Sequence, residues 1–353
     1  MATKGRGAGF DPPNRFETLR YEPDPDALPD PDDDERPAPH TLFLRDPSRS
    51  LIATNQSPDV GFDASINPYR GCEHGCTYCY ARPTHEYLGL SAGLDFETRI
   101  LVKERAPELL RDELSSPRWK PQVIALSGVT DPYQPIERRL ELTRRCLEVL
   151  LEFRNPVTII TKNRLVARDA DLLAELARDE CASVSVSVTT LDSALARAME
   201  PRASRPELRL EAIARLADAR VPVGVLVAPI VPGLTDHELP AILAAACGAG
   251  AGYAGFVVLR LPHAVKELFA EWLAREFPER RAKVLNRISA LRGGRLYDSR
   301  FATRQRGEGP FAEQIARLFE LGCRRAGLAA KGPVLSAARF RRPAAASPQL
   351  GLF

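Results

Sequence analysis

Asn67-Pro68-Tyr69-Arg70-Gly71-Cys72-Glu73-His74-Gly75-Cys76-Thr77-Tyr78-Cys79-Tyr80 concentrates more reactive chemistry than any other part of the chain. Its three cysteines stand at C-x3-C-x2-C spacing. That spacing lets three thiolates on one short loop converge on a compact inorganic centre. Gly71 and Gly75 give the backbone freedom to turn tightly between them. A structural zinc site or an ordinary electron-transfer cluster is closed by four protein ligands. Three cysteines on a cubane leave one iron open to a small molecule. Two other readings compete. Disulfides fit poorly: residues 1–10 show no apolar signal-peptide core, seven cysteines is an odd number, and cytosolic chains keep thiols reduced. Zinc, with His74 or His85 as fourth ligand, stays open, although no second ligand pair at zinc spacing exists.

Around this loop the chain alternates between strand and helix patterns. Residues 65–69 read as a first strand feeding the cysteines. Residues 122–126, 157–160, 182–188, 221–227 and 255–259 are apolar, β-rich runs. Between them lie stretches with helical spacing, such as Leu142, Cys146, Val149 and Leu150. Residues 100–102 form a further short apolar run. Repeated units with nearly continuous apolar strands predict a parallel sheet with helices outside, a partial (β/α)6 TIM-like barrel of the α/β class. Sites in such folds gather at the carboxyl ends of the strands. The expected organisation is an irregular, acidic and Pro-rich arm over 1–60, a barrel core over 61–262, a basic helical extension over 263–330 and a flexible tail over 331–353. Residues 22–35 carry eight acids and read as a solvated linker. No apolar run approaches the length of a membrane span, so no membrane partner and a cytoplasmic location are expected.

The strand ends supply the candidate site. Ser127, Gly128, Thr130 and Asp131 follow the second core strand, where small residues let a ligand approach the backbone. Lys162 ends the third strand. Val184-Ser185-Val186-Ser187-Val188 alternates strictly, which sends the valines toward the helices and Ser185 and Ser187 into the lumen. Glu200-Pro201-Arg202 and residues 229–233 follow the fourth and fifth strands.

The cysteine loop, with an aromatic residue (Tyr78) before its third cysteine, resembles the signature of the radical S-adenosylmethionine (SAM) enzymes. With Tyr80, Thr130-Asp131-Pro132, Thr161-Lys162 and Glu200-Pro201, residues 66–262 resemble the spore photoproduct lyase-like branch, and at finer grain an uncharacterised bacterial subgroup of it. The resemblance implies a [4Fe-4S] cluster on Cys72, Cys76 and Cys79. It implies SAM held by Tyr78, Ser127, Gly128, Thr130, Asp131, Lys162, Ser185, Ser187 and Arg202. It further implies reductive SAM cleavage to a 5′-deoxyadenosyl radical, a reductase or a flavodoxin or ferredoxin as electron donor, and DNA as substrate. One departure matters. Spore photoproduct lyases use a cysteine just before the Thr/Ser-Asp element to return hydrogen to the product. Here Leu126-Ser127-Gly128-Val129 has none, and Tyr80 and Tyr133 become the candidate donors. Modification of RNA or protein, and an Fe–S or zinc scaffold that only binds a partner, are the alternatives.

The net charge of +3 is too small to decide a partner, but its distribution is uneven. Residues 275–306 hold ten Arg/Lys against three acids, an excess suited to phosphates or to a solvated helix face. The end, Gln349-Leu350-Gly351-Leu352-Phe353, resembles the bacterial sliding-clamp-binding pentapeptide. Leu350, Leu352 and Phe353 suit an apolar groove, with Gln349 bonding at its edge.

Overall fold

The computed structural model describes residues 5–17 and 39–343. The motif at 349–353 and the acidic run at 22–35 lie outside them. Among the described residues, ten strands form two sheets: β1 (Leu42–Arg45), β2 (Ile52–Thr54), β3 (Ala64–Ile66), β4 (Tyr69–Arg70), β5 (Arg99–Val102), β6 (Ile124–Leu126), β7 (Val157–Thr161), β8 (Ala182–Ser187), β9 (Val223–Ile230) and β10 (Tyr253–Val258). The large sheet runs β10-β9-β8-β7-β6-β3-β2. From β3 to β10 every pairing is parallel, and β2 adds antiparallel at the edge. These six parallel strands are the six units read from the sequence, and they form a partial barrel. Sequence and structure part at two short elements. Pro68 cannot donate to a ladder, so β3 stops at Ile66. Tyr69–Arg70 and Arg99–Val102 leave the barrel for a side sheet of order β1-β5-β4.

The helices bury their apolar stripes on the sheet. Helix Leu142–Phe153 turns Leu142, Cys146, Val149, Leu150 and Phe153 inward, and Val184, Val186 and Val188 meet the same core. A second apolar cluster joins Cys76 and Tyr78 to Val265, Phe269, Trp272, Val284 and Ile288. The helices Val265–Glu276 and Pro278–Ala290 therefore brace the cysteine loop.

Two terminal expectations need correction. The arm is not irregular throughout: β1 and β2 lie in it, and Ala8 is buried. Nor is the chain free from residue 331. Ala254 N–H donates to Ala329 O at 2.8 Å, Ser336 N–H to Glu180 O at 3.0 Å, and Arg341 N–H to Phe153 O at 2.9 Å. The Phe340 ring meets Phe153, and Arg342 Nη2 donates to Trp119 O at 2.9 Å. Trp119, Phe153 and Glu180 precede strands β6, β7 and β8, and Ala254 lies at the start of β10, so residues 329–342 strap the amino ends of the barrel. The cysteines follow β3 at the carboxyl ends.

Candidate active site

Local hydrogen bonds fix the cysteine loop before any cofactor is considered. Asn67 Oδ1 accepts from Val129 N–H at 3.1 Å and Thr130 N–H at 3.2 Å, tying the loop to the turn after β6. Cys72 N–H donates to Phe96 O at 2.9 Å. Buried Arg82 donates to Cys76 O through Nε (3.0 Å) and Nη2 (2.8 Å) and pairs with Glu97 at 2.5 Å. Glu97 also accepts from Gly7 N–H (3.0 Å) and Ala8 N–H (2.8 Å). The arm approaches so closely that a Cβ on Gly7 would lie 1.8 Å from Gly75 O.

Cys72 and Cys76 are buried and Cys79 half-buried. Burial pushes all three thiols up; Asp131 and the other two cysteines push Cys72 further. Three thiols in one another's field, two of them buried, are a donor set that a cationic centre would relieve. His74 is no fourth ligand, because Asn163 Nδ2 lies 3.2 Å from its Nε2 and Asp131 Oδ2 3.4 Å from its Nδ1. His85 bonds Arg99 O through Nε2 at 2.9 Å. Among the described residues, no group of three or more His, Cys, Asp or Glu side chains, the three cysteines included, is already gathered as a metal site. The residues fit a three-thiolate cluster with an open position better than a closed zinc site.

Beside the thiols lies a buried charge network. Glu200 pairs with Arg209, accepts from Tyr78 Oη, and takes Thr189 Oγ1 at 2.6 Å and Lys162 Nζ at 3.2 Å. Burial alone would raise its carboxyl, but Arg209 and Lys162 outweigh burial and hold it far below the usual range. Lys162 Nζ also donates to Ser187 Oγ (2.8 Å), Thr189 Oγ1 (3.1 Å) and Ala228 O (2.8 Å). It stands 5.6 Å from the centroid of the Tyr78 ring. Two cations against one carboxylate leave this wall positive.

The structure sorts the residues singled out by sequence. Tyr78, Lys162 and Ser187 meet in the network just described. Gly128, at φ 98°, has Ser65 and Phe62 nearest the place of a Cβ, none closer than 3.5 Å, and its carbonyl accepts from Tyr80 Oη at 2.6 Å. Ser127, at φ 151°, stands between the end of β6 and the bend at Gly128. Ser185 sits deeper, 3.3 Å from Tyr253 Oη. Thr130 and Asp131 are engaged in bracing. Thr130 Oγ1 donates to Tyr69 O at 2.9 Å, while Asp131 accepts from Thr161 Oγ1 and Lys162 N–H, both at 2.7 Å. Burial would raise Asp131, but His74 and these donors lower it. Arg202 is held by Glu73 at 3.0 Å. Of the two candidate hydrogen donors, Tyr133 is fully buried in the core, whereas Tyr80 is 46% exposed. Sequence reasoning missed Arg209 and Glu97. Arg209 hides in an amphipathic helix, Pro206–Asp218, where a buried arginine breaks the pattern.

Several cations of the basic segment are already paired with acids. Arg275 pairs with Glu271, Arg287 with Asp236, Arg300 with Asp298, and Arg304 with Asp59. Arg280, Lys283 and Arg287 line a groove of about 600 Å³ with Gly233, His237 and Phe311.

Comparison with known proteins bears on this geometry. The sequence profile of the Radical SAM superfamily matches residues 66–246. An uncharacterized protein of Mycobacterium tuberculosis (strain ATCC 25618 / H37Rv) is 39% identical over 232 residues, 64% of this chain and 68% of that one. An uncharacterized protein of Methanocaldococcus jannaschii is 31% identical over 173 residues, 49% of this chain and 62% of that one. A solved spore photoproduct lyase, complexed with dinucleoside spore photoproduct, shares the fold with a TM-score of 0.57 at 15% identity, over 80% of this chain and 79% of that one.

Proposed function

The chain belongs to the radical SAM superfamily, an enzyme family that uses a [4Fe-4S] cluster and SAM, and we propose that it directs that chemistry at DNA, in a repair-like reaction. When bound, the two cofactors supply a 5′-deoxyadenosyl radical able to take hydrogen from an unreactive C–H bond. Cys72, Cys76 and Cys79 hold the cluster in this reading. The backbone at Ser127 and Gly128, with Lys162, Tyr78, Ser185 and Ser187, forms the wall against which SAM is oriented. Arg209 and Glu200 fix Lys162 in place, while the arm at Gly7 and Ala8 and the helix Val265–Glu276 keep water from the loop. Tyr80 is the candidate hydrogen donor: its phenol is anchored on Gly128 O, next to Cys79, and its ring is exposed.

The observation that supports placing this chemistry here is the loop of Cys72, Cys76 and Cys79 at the carboxyl end of β3, with both ring nitrogens of His74 already engaged by Asn163 and Asp131. DNA is supported by the exposed aromatic at the mouth and the groove bearing Arg280 and Lys283. Reconstitution with iron and sulfide under anaerobic conditions tests both. Reduced protein is expected to form 5′-deoxyadenosine from SAM, faster with DNA than with RNA or peptide. No cleavage under several reductants sinks the enzyme at this site, and stimulation by RNA or peptide alone sinks the DNA reading. We further propose a cytoplasmic enzyme, reduced by a flavodoxin- or ferredoxin-type donor and tethered to the bacterial sliding clamp through Gln349, Leu350, Leu352 and Phe353. Equal clamp binding by a chain lacking residues 349–353 removes the tether.

A further inference from the structure

Several cations near the mouth have partners among the described residues, and Arg260 does not. Arg304 pairs with Asp59 and donates to Ser57 Oγ. Arg292 donates to Leu259 O at 2.9 Å and to Thr303 O. Lys162 and Arg209 share Glu200. Arg260, two residues beyond the end of β10, is half-buried, yet it makes no hydrogen bond or ion pair among the described residues; its Nε is buried without a partner. The neighbouring carboxylate, Asp59, is taken by Arg304 and by Ala302 N–H at 2.6 Å. A guanidinium carries five N–H donors. A buried N–H without a partner is costly and calls for an explanation, such as a bound ligand or ion.

Its position says which ligand. The Arg260 guanidinium lies 5.0 Å from the centroid of the Tyr80 ring, the aromatic that follows the third cysteine. Tyr80 and Val129, 46% and 39% exposed, give the same rim an apolar face. A planar, bidentate cation beside an exposed ring suits one nucleotide: the fork meets a phosphate and the apolar face meets a base. We propose that Arg260 grips a phosphodiester of the DNA strand whose nucleotide is presented to the cluster. This rests on the DNA reading above. It adds a positioning residue at the end of the sixth strand, far in sequence from the cysteines.

The test uses the reconstituted full chain, a defined DNA duplex and a salt titration. Arg260→Gln is expected to weaken binding about tenfold and to reduce the slope of log affinity against log salt by about 1. Arg260→Lys is expected to restore the slope but only part of the affinity, because a point charge replaces the fork. SAM affinity, measured separately on each holoprotein, should stay within about twofold, since the proposed anion is on the DNA. An unchanged slope in Arg260→Gln, with the wild type binding DNA normally, overturns the inference and leaves the DNA reading standing. A matching fall in SAM affinity also overturns it, by giving the guanidinium to the SAM carboxylate. A wild-type chain with no salt-dependent DNA binding overturns the DNA reading and this inference together.

Discussion

The two ends of the barrel are closed by opposite means. At the amino ends, residues 329–342 lie across the strands through backbone bonds to Glu180 and Phe153 and one ring contact at Phe340. At the carboxyl ends, closure depends on buried charge: Glu200 with Arg209 and Lys162, and Glu97 with Arg82. A backbone strap tolerates change in its side chains. A buried charge network does not, because removing one member strands the rest in low dielectric. The difference teaches where function constrains the fold, since only the charged end faces the cysteines.

Substitutions can break that comparison. Cys76→Ala should have the largest effect. Reconstituted iron and the visible absorbance of the cluster should drop, and 5′-deoxyadenosine formation should fall at least about 100-fold. Full activity with two cysteines would sever the loop from the chemistry. Glu200→Gln should destabilise the chain by about 3–5 kcal/mol in denaturant unfolding, because Arg209 is left buried without its counter-ion. The same variant should respond differently to acid. The folded Glu200 carboxyl titrates below its ordinary 4.5, so its pairing stabilises the native state above that pH and is lost as pH falls toward the folded value. Glu200→Gln should therefore show a shallower acid limb than the wild type; parallel limbs would remove Glu200 from the stability of the mouth. Gly7→Ala should cost about 1–3 kcal/mol, because its Cβ meets a backbone oxygen that cannot swing aside. It should also speed iron loss to a chelator. Phe340→Ala, at the strapped end, should have the smallest effect: about 1–2 kcal/mol in unfolding, with SAM cleavage per cluster unchanged. A drop in cleavage there would mean that the two ends are coupled.

Much of this was legible in the sequence because it rests on local pattern. The six parallel strands follow from apolar runs separated by helical spacing, and the cysteine loop from three residues and two glycines. What stayed hidden required contacts distant in sequence. Arg209 reads as an ordinary solvated position on an amphipathic helix, until Glu200 is seen to fold back onto it. Thr130 and Asp131 read as ligand-facing because they sit at a strand end, yet Tyr69 O and Thr161 compete for them first. Tyr133 and Tyr80 are equivalent in sequence as phenols near the motif. Only packing separates the one inside the core from the one at the mouth. The anchoring of residues 329–342 was invisible because Ala, Pro and Arg carry no periodic signal, while the bonds that hold the segment run through the backbone.

The close passage of Gly7 over Gly75 has a kinetic meaning. A cluster on this loop would be shielded on that side by a peptide only a few residues wide, held through Glu97. Local opening of such a segment requires far less free energy than global unfolding. Dioxygen and chelators would then reach the iron at a rate set by fraying of residues 5–17, so the lifetime of the cofactor in air would report on the arm rather than on the stability of the barrel.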